Sequence, residues 1–567
     1  MRIRSHIVLL FLFSAGIALP AQDLEKIGRK DMVTAGGGMN FNSIFYDANG
    51  MPARNDPFAW YFSGNLNFTV LGVSLPFTFS YTNNHGSYTQ PFNMQSAHPK
   101  YKWAQAHLGT TAMNFSQYTL NGLVFTGAGI ELTPGGFYLG MMYGRLNKAI
   151  AADPALNSFE GMSYQRNGFA VKAGYDKNGG SVTVTYFSAK DDPASLFFVP
   201  AAADLYPQQN TAISLAGKIR LLDKITANAE FALSGLTRNL FSGMETTDFS
   251  GLEKWLLPTH TTTQFFRAWK TSLVYSGKSI SVSLNHEHVD PDYRTFGAYY
   301  FNNDLENWTV VPAFRFFKGK ISVALSTGIQ RNNLDASKLS TMHRWVGSAS
   351  ISANLFSWLI TNFSFSNFTS YTNKRPNTDP FWQPTPADTL SFYQVARQAN
   401  GNLIFSFGSK AVKENISASG SWQITQQQQA KDKTPATSVL NGNLAWSIQI
   451  TKLKLSLSVI GNYNQSKTDT LLMQFLGPGL QFNQSAMKGQ VRFAAGSIYN
   501  RSLSQHGLQS HILSQRAQLS FSPKVKNKKY GKPSLSLNGV YVSRFPLNTS
   551  QQTTGELTVT TNLGYSF

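Results

Sequence analysis

The side chains with the clearest capacity for chemistry lie in one run, His286-Glu287-His288-Val289-Asp290-Pro291-Asp292. Two histidines two positions apart on a β-strand share a face, so His286 and His288 have a spacing that suits metal ligands. Asp290 and Asp292 would add carboxylate oxygens. The alternative is a polar strand end at the outer rim of a sheet. We favour that alternative and predict no metal site.

The sequence offers little else for catalysis. It contains no cysteine, which excludes disulfides and thiolate metal sites. Most other histidines stand alone, and no Gly-x-Ser-x-Gly element follows a strand and opens a helix. We therefore predict a protein that is not an enzyme and that uses no cofactor.

A second group of interest is a set of basic residues at positions that alternate with apolar ones. If those positions face a water-filled lumen, a basic wall would favour the passage of anions. Glu230, Glu287 and Glu556 share the same predicted face, so salt bridges that brace a wide barrel are the alternative. The basic set comprises Lys172, Lys218, Arg220, Lys270, Arg315, Arg344, Lys454 and Arg492.

Alternation with a period of two is the pattern that positions these residues. Leu453, Leu455, Leu457 and Val459 alternate with lysine and serine, and similar segments recur through most of the chain. A helix cannot use such a pattern, because its apolar face would rotate away within a few residues. One apolar and one polar face per strand is typical of a barrel with lipid outside and water inside.

Short turns alternate with long connections along the chain. The predicted turns include Leu71-Gly72, Asn178-Gly179 and Asn483-Gln484. The pattern predicts an all-β fold: a single transmembrane antiparallel β-barrel with no N-terminal plug domain. If both termini lie on the side of the short turns, the number of turns gives about 24 strands, with a range of 22–26. Segment 84–118 is the longest gap between secure strands, and Tyr101 to Leu108 within it could be an extra strand, a strand within a loop or a segment folded into the lumen.

Residues 1–21 have the features of a secretory signal peptide. Arg2 and Arg4 precede a short apolar stretch, and Ala21 is a suitable residue for cleavage. We expect a short segment at 22–31 and the barrel with long extracellular loops at 32–567. No later stretch has about 18 uninterrupted apolar residues, so we expect no membrane-spanning helix.

The composition agrees with an exported barrel. Charged residues are 14% and aromatic residues 13% of the chain, which suits aromatic girdles at two membrane interfaces. The net charge is +20. Nucleic acid is not an expected partner, because export removes the chain from it. A β-sandwich, or several soluble β domains, would also alternate and is the less favoured fold.

The whole mature chain resembles large porin-like outer-membrane β-barrel proteins of Bacteroidota. The resemblance is carried by Ala21-Gln22, by Gly36 to Phe41, by Asn114 to Leu120, by Glu131 to Gly135, and by Asn562 to Phe567. It implies location in the outer membrane of a Gram-negative bacterium after cleavage of the signal peptide.

The C-terminal strand has a further implication. It ends on Tyr565-Ser566-Phe567 and resembles the last strand of bacterial outer-membrane proteins, whose terminal aromatic residue is recognised by the barrel-assembly machinery. Tyr565 and Phe567 are thus the expected assembly signal, and this machinery and outer-membrane lipid are the expected partners.

The width of the barrel constrains its function. Sixteen to eighteen strands already leave an aqueous channel, so a wider barrel needs something to fill or narrow it. We predict a porin-like channel for polar solutes, narrowed by an inward fold of segment 84–118, with Phe92, Tyr101, Trp103 and His107 as candidate constriction residues. The alternative is an accessory or structural subunit of an outer-membrane assembly, secretion or uptake complex. A periplasmic or lumen-filling protein partner is a further possibility, and the lysines at the predicted periplasmic turns would suit an acidic one.

Overall fold

The protein is described here by a computed structural model. The described residues are 33–83, 94–151, 161–244, 251, 253–299, 302–337, 343–371, 393–428, 436–468, 471–505, 507–525, 531–547 and 552–567. The predicted signal peptide at 1–21, the segment at 22–31 and Phe92 lie outside them.

The described chain is almost entirely β-strand. The first half contains β1 (Val33–Asn49), β2 (Phe58–Val70), β3 (Val73–Thr82), β4 (Met94–Ala97), β5 (Lys100–Tyr101), β6 (Ala104–Asn114), β7 (Leu120–Leu132), β8 (Phe137–Asn147), β9 (Arg166–Lys177), β10 (Gly180–Asp191), β11 (Gln209–Leu222), β12 (Ile225–Thr237), β13 (Thr263–Ser276) and β14 (Ile280–Val289). The second half contains β15 (Gly297–Ala298), β16 (Leu305–Phe316), β17 (Ile321–Arg331), β18 (His343–Phe356), β19 (Leu359–Tyr371), β20 (Tyr393–Gly408), β21 (Val412–Gln428), β22 (Thr437–Ile450), β23 (Leu455–Lys467), β24 (Leu472–Ala486), β25 (Val491–Ser504), β26 (Gly507–Phe521), β27 (Lys532–Pro546) and β28 (Thr554–Ser566). One short helix, α1 (Glu253–Leu256), lies between β12 and β13.

These strands form one closed antiparallel barrel. Each wall strand pairs with its neighbours along the chain, and β1 pairs with β28 to close the ring. β4 and β5 act as one broken wall strand between β3 and β6. β15 is not a wall strand, because it pairs only with the start of β7. The wall therefore has 26 strands, which confirms the predicted fold class at the upper end of its range.

The difference from the favoured count of 24 has one cause. A turn at residues 102–103 joins β5 to β6, with Lys102 in the left-handed region at φ 49°. The sequence prediction missed this turn, because no Gly, Asn or Asp marks it. A second correction concerns the turn placed at Asn483-Gln484. β24 continues through both residues to Ala486, and the turn follows at Met487–Gly489.

The two faces of the wall follow the predicted alternation. Large apolar side chains are exposed on the outer face, including Leu444, Leu480 and Tyr143. Serine, asparagine and other polar residues occupy the inner face. No helix among the described residues is long and apolar enough to cross a membrane.

Most of the described part of segment 84–118 does not form the inward loop that the sequence predicted. Residues 94–114 of that segment form wall strands β4, β5 and β6. Their period-two alternation is interrupted at 98–99 and at the turn at 102–103, and these breaks made the segment look like a loop. Among the described residues of the segment, only those after Asn114 turn into the lumen.

Barrel closure depends on the last residues of the chain. The backbone of Phe567 pairs with that of Gly37 through hydrogen bonds of 3.0 and 2.9 Å. The ring of Phe567 lies 5.8 Å from that of Tyr565, and both side chains are exposed on the outer face. The two aromatic residues of the predicted assembly signal are thus accessible at the seam of the barrel.

We expect Phe567→Ala to slow membrane insertion, because the exposed terminal aromatic at the seam would be lost. The time course of the heat-modifiable folded band on a gel measures this. Phe521→Ala is the matched control, because Phe521 is another exposed aromatic residue at the end of a strand, β26, on the same side of the barrel as Phe567. Equal insertion rates for Phe567→Ala and wild type would contradict the predicted assembly role.

Candidate pore lining

Two connections on the long-loop side fold into the lumen. Loop A is residues 115–119, between β6 and β7, and loop B is the described residues 290–299 and 302–304 of the connection between β14 and β16. Buried apolar side chains of both loops pack against the inner faces of β6 to β14. These side chains include Phe115 and Phe296 of one cluster and Tyr118 and Tyr293 of another. The lumen beside these strands is therefore filled by a protein core.

Charged wall residues hold loop A in place. The Nζ of Lys172 donates to the carbonyl of Phe115 at 2.8 Å. Glu287 accepts from the Nε2 of Gln117 at 3.0 Å and from the hydroxyl of Tyr118 at 2.8 Å. The hydroxyl of Ser116 donates to Glu230 (also a lumen-facing wall residue). Hydrogen bonds to charged partners are among the stronger ones, so loop A has a defined position.

Asn210 of β11 anchors loop B. Its side chain is completely buried. The amide nitrogen donates to the hydroxyl of Ser234 at 2.8 Å, to the carbonyl of Gly235 at 2.9 Å and to the carbonyl of Arg294 at 3.2 Å. The amide oxygen accepts from the backbone N–H of Phe296 at 3.0 Å. One side chain thus fixes two residues of the loop to the wall.

The two loops also hold each other. Tyr293 donates to the carbonyl of Tyr118 at 2.8 Å, and Thr295 donates to that of Thr119 at 2.5 Å. β15 pairs in parallel with the start of β7, so Gly297 lies directly against this backbone. A Cβ at Gly297 would come within 2.2 Å of the Thr119 carbonyl oxygen. Only glycine permits this approach.

Burial determines the protonation of the loop residues. It raises the pKa of Tyr118, and the Glu287 carboxylate raises it further, so Tyr118 remains a neutral donor. Burial also raises the pKa of Tyr293. In loop B, burial and the charge of Arg166 lower the pKa of Arg294 to about 10, which leaves Arg294 charged at neutral pH.

A buried ion pair supports the base of loop B. Arg166 binds Asp191 through two hydrogen bonds of 2.7 and 3.0 Å, and Asp191 is itself buried. The Arg166 guanidinium lies 3.5 Å from the ring centroid of Phe296, and that of Arg294 lies 5.3 Å from it. Phe296 therefore receives cation–π contacts from wall and loop.

His107 belongs to a polar network of the wall. Its side chain faces the lumen from β6 and is buried, with Nδ1 2.9 Å from Nδ1 of His98 and Nε2 3.1 Å from Glu131. Glu131 also accepts from Tyr138 at 2.6 Å. The other candidate constriction residues lie in the wall as well: Tyr101 is on β5 and Trp103 is in the turn that follows it.

The lumen beside β18 to β23 has a different character. A groove of about 730 Å³ runs along the inner face there, and none of the residues that line it is charged. Strand register places asparagine and serine side chains in continuous rows across the wall. One row is Ser350, Ser364, Asn400, Ser421, Asn441 and Asn464.

Neighbouring members of these rows bond to one another. Asn441 donates to the hydroxyl of Ser421 at 3.0 Å, and Asn443 donates to Asn462 at 2.6 Å. Each amide still has hydrogen-bonding capacity left, since it carries two donors and an acceptor with two lone pairs. The lining can therefore exchange hydrogen bonds with water and with polar solutes.

The structure separates the predicted basic wall into groups. Lys172 and Lys270 lie in the filled part of the lumen, where Lys270 stands in register between Glu230 and Glu287. Lys218 is exposed on the inner face of β11. Lys454 is a turn residue rather than a strand residue, because β23 begins at Leu455. The side chain of Arg344 is outside the described part of the chain.

The remaining three arginines lie at a similar level along the barrel axis. Arg220, Arg315 and Arg492 lie within two residues of the short-turn ends of β11, β16 and β25, and all are exposed. Within the described residues none of them forms an ion pair. Alternation showed which face they occupy, while strand pairing shows that they surround the short-turn mouth.

The histidines of the 286–292 run face outward, away from the lumen. His286 stacks on Trp308 and His288 on Trp269, each with ring centroids 3.9 Å apart. Glu287 points to the opposite, lumenal face, where it binds loop A. Among the described residues no cluster of His, Asp and Glu has the geometry of a metal site.

Sequence reasoning missed Asn210 and Gly297, which fix loop B. Asparagine and glycine both occur at many positions of the chain, so residue type alone does not mark these two positions. It also missed Arg516, an exposed arginine on the inner face of β26 opposite Gly496. The alternation of β26 was sufficient to find that residue.

Comparisons with known proteins give only distant matches. No protein-family model and no curated protein matches the chain. OccAB4 of Acinetobacter baumannii aligns at 9% identity and TM-score 0.30, over 68% of this chain and 97% of that one. The translocation pore of the P pilus usher PapC aligns at 10% identity and TM-score 0.39, over 94% and 99%. A mutant of the Rh. blastica porin aligns at 10% identity and TM-score 0.25, over 56% of this chain and 99% of that one.

Proposed function

We propose that this protein is an outer-membrane channel for polar solutes, with a lumen narrowed by two of its own extracellular connections. One observation carries the proposal. Loops A and B fill the lumen beside β6 to β14, while the lumen beside β18 to β23 keeps an uncharged groove rich in asparagine and serine. The inward-folded elements are thus loop A, which includes the last residues of the predicted segment 84–118, and loop B, which lies outside that segment.

The membrane location is supported by the outer face. Exposed leucine, valine and phenylalanine side chains occupy the outer positions around the barrel, where a soluble protein would place polar residues. Closed pairing of β1 with β28 leaves no free sheet edge, as lipid requires. The short turns then face the periplasm and the long connections the exterior.

The preferred solute follows from the lining. Amide and hydroxyl groups can replace part of the hydration of an uncharged polar solute without a large electrostatic barrier. The arginines at the periplasmic mouth give entering anions an advantage over cations. We therefore propose passage of small polar solutes, neutral or anionic, driven by their own gradient.

Reconstitution of the purified protein tests this function. In a planar bilayer the barrel should conduct without any partner, and in liposomes it should admit neutral sugars in a size-dependent manner. A barrel that never conducts, and that co-purifies from native membranes with a second protein in its lumen, would instead be the accessory subunit of a complex. That result would contradict the channel proposal.

Removing the mouth arginines should shift ion selectivity. We expect Arg220→Gln, Arg315→Gln and Arg492→Gln, combined, to move the reversal potential in a salt gradient toward cation preference, because a positive ring repels cations. Arg145→Gln, Arg331→Gln and Arg501→Gln remove the same charge from the outer face and serve as the control. An unchanged reversal potential in the first variant would show that the mouth arginines do not select ions.

A further inference from the structure

A repeated pair of residues marks the outer face near the long connections. On each of four strands, an aromatic residue has a basic residue two positions away along the strand, on the side nearer the long connection. Because residues two apart on a strand share a face, each pair projects to the same side. The pairs are Tyr143 with Arg145 on β8, Trp269 with Arg267 on β13, Trp345 with His343 on β18, and Tyr499 with Arg501 on β25.

Exposure and register place these pairs outside the barrel. Tyr143 and Trp345 are 66% and 54% exposed, as expected on an outer face with no protein layer against it. The basic members are exposed as well. Arg331, the last residue of β17, stands directly opposite His343 and supplies a cation at this level.

Protein carboxylates neutralise only part of this positive charge. Arg267 contacts Glu253 at 3.2 Å, and Arg331 contacts Glu306, which also lies 3.4 Å from Nε2 of His286. For Arg145 and Arg501 the described residues supply no ion pair. A ring of exposed cations just beyond an aromatic layer is therefore available to anions from the surroundings.

The opposite end of the wall differs in where its cations lie. Aromatic residues such as Phe356 and Trp358 are exposed there too, but the nearby lysines are mostly in the turns, as Lys278 and Lys452 are. β9, with Tyr175 and Lys177, carries one pair of the same kind at that end. The concentration of arginine on the outer face of strands is a feature of the long-connection side.

We infer that these pairs form a belt that binds the phosphorylated headgroups of the outer-leaflet glycolipid. Aromatic side chains lie at the level of the membrane interface, and the cations two residues further out reach the headgroup layer. Arginine suits phosphate because its planar guanidinium can donate two parallel hydrogen bonds. The inference rests on the membrane orientation of the proposed function but does not require that the barrel conducts.

The test uses purified full-length barrel in detergent with lipid A as the probe. Binding is measured by native mass spectrometry, with dephosphorylated lipid A as the comparison ligand. The belt variant combines Arg145→Gln, Arg267→Gln, Arg331→Gln and Arg501→Gln. The control variant combines Lys224→Gln, Lys278→Gln, Lys410→Gln and Lys452→Gln, which removes equal charge from exposed periplasmic turns.

At Arg145 and Arg501, where the described residues supply no ion pair, we expect lipid A to bind about fivefold more weakly after loss of the arginine, the effect typical of one basic residue near an anionic headgroup; at the ion-paired Arg267 and Arg331 we expect a smaller loss. The control variant should bind as wild type does, and dephosphorylated lipid A should bind all three proteins equally weakly. Wild-type affinity of the belt variant would overturn the inference. So would a loss confined to the turn-lysine variant, which would place the phosphate sites at the other end. Folding of each variant is checked by heat-modifiable gel mobility.

Discussion

Replacement of Gly297 by valine should open the filled part of the lumen. A Cβ at this position would come within 2.2 Å of the Thr119 carbonyl oxygen and 2.9 Å of the Leu120 Cα, both backbone atoms that cannot rotate away. Loop B must then separate from loop A. We expect single-channel conductance to rise roughly twofold, because in a wide aqueous pore it follows the open cross-section.

Asn210→Leu should have the same effect by a separate route. This change keeps a side chain branched at Cγ but leaves the buried Phe296 N–H without its bond to the wall and removes one of the two wall bonds to the Arg294 carbonyl, which then retains only that from the Ser234 hydroxyl. An unsatisfied buried polar group costs about 1–3 kcal/mol, so loop B should leave its docked position. Agreement between the two variants would assign the conductance to loop B rather than to either single residue.

Gly243→Val is the matched control for the glycine change. Gly243 lies in the connection between β12 and β13, and a Cβ there meets nothing within 4 Å. Its conductance should equal that of wild type. If Gly297→Val and Asn210→Leu give stably folded barrels with wild-type conductance, loops A and B do not narrow the pathway, and the proposed role of the filled lumen is wrong.

A charge on the outer face should destabilise the barrel according to its depth. Leu480 lies near the middle of β24 and is 63% exposed on the outer face, where lipid would cover it. We expect Leu480→Arg to reduce the free energy of unfolding by about 2–4 kcal/mol, the cost measured for arginine near a bilayer midplane. Denaturant titration in lipid vesicles measures this.

The neighbouring residue gives the control for that change. Gln481 follows Leu480 on the same strand but faces the lumen, so Gln481→Arg should change stability little. Leu457, the third residue of β23, faces outward close to the periplasmic end, so Leu457→Arg should fall between the two. Equal losses at all three positions would show that the outer face is not in lipid.

Much of the architecture was predictable from the sequence, because it depends on local patterns. A side-chain period of two assigns faces without knowledge of any partner strand, and on that basis alone Arg220, Arg315 and Arg492 are assigned to the lumenal side. Turn residues marked most hairpins. The method was indecisive where the local signal was weak, as at Lys102, where the unmarked turn left Tyr101 to Leu108 open between an extra strand and a loop segment.

The filling of the lumen required the tertiary structure. Loop B is held by Asn210, 84 residues before Arg294 in the chain, and loop A by Glu287, 169 residues after Tyr118. Such contacts arise only when barrel closure brings distant strands together, so no local pattern encodes them. The sequence by itself determined that the chain forms a wide barrel with apolar and polar faces. Only the folded barrel decided which connections enter the lumen, and at which level along the barrel axis each charged side chain lies.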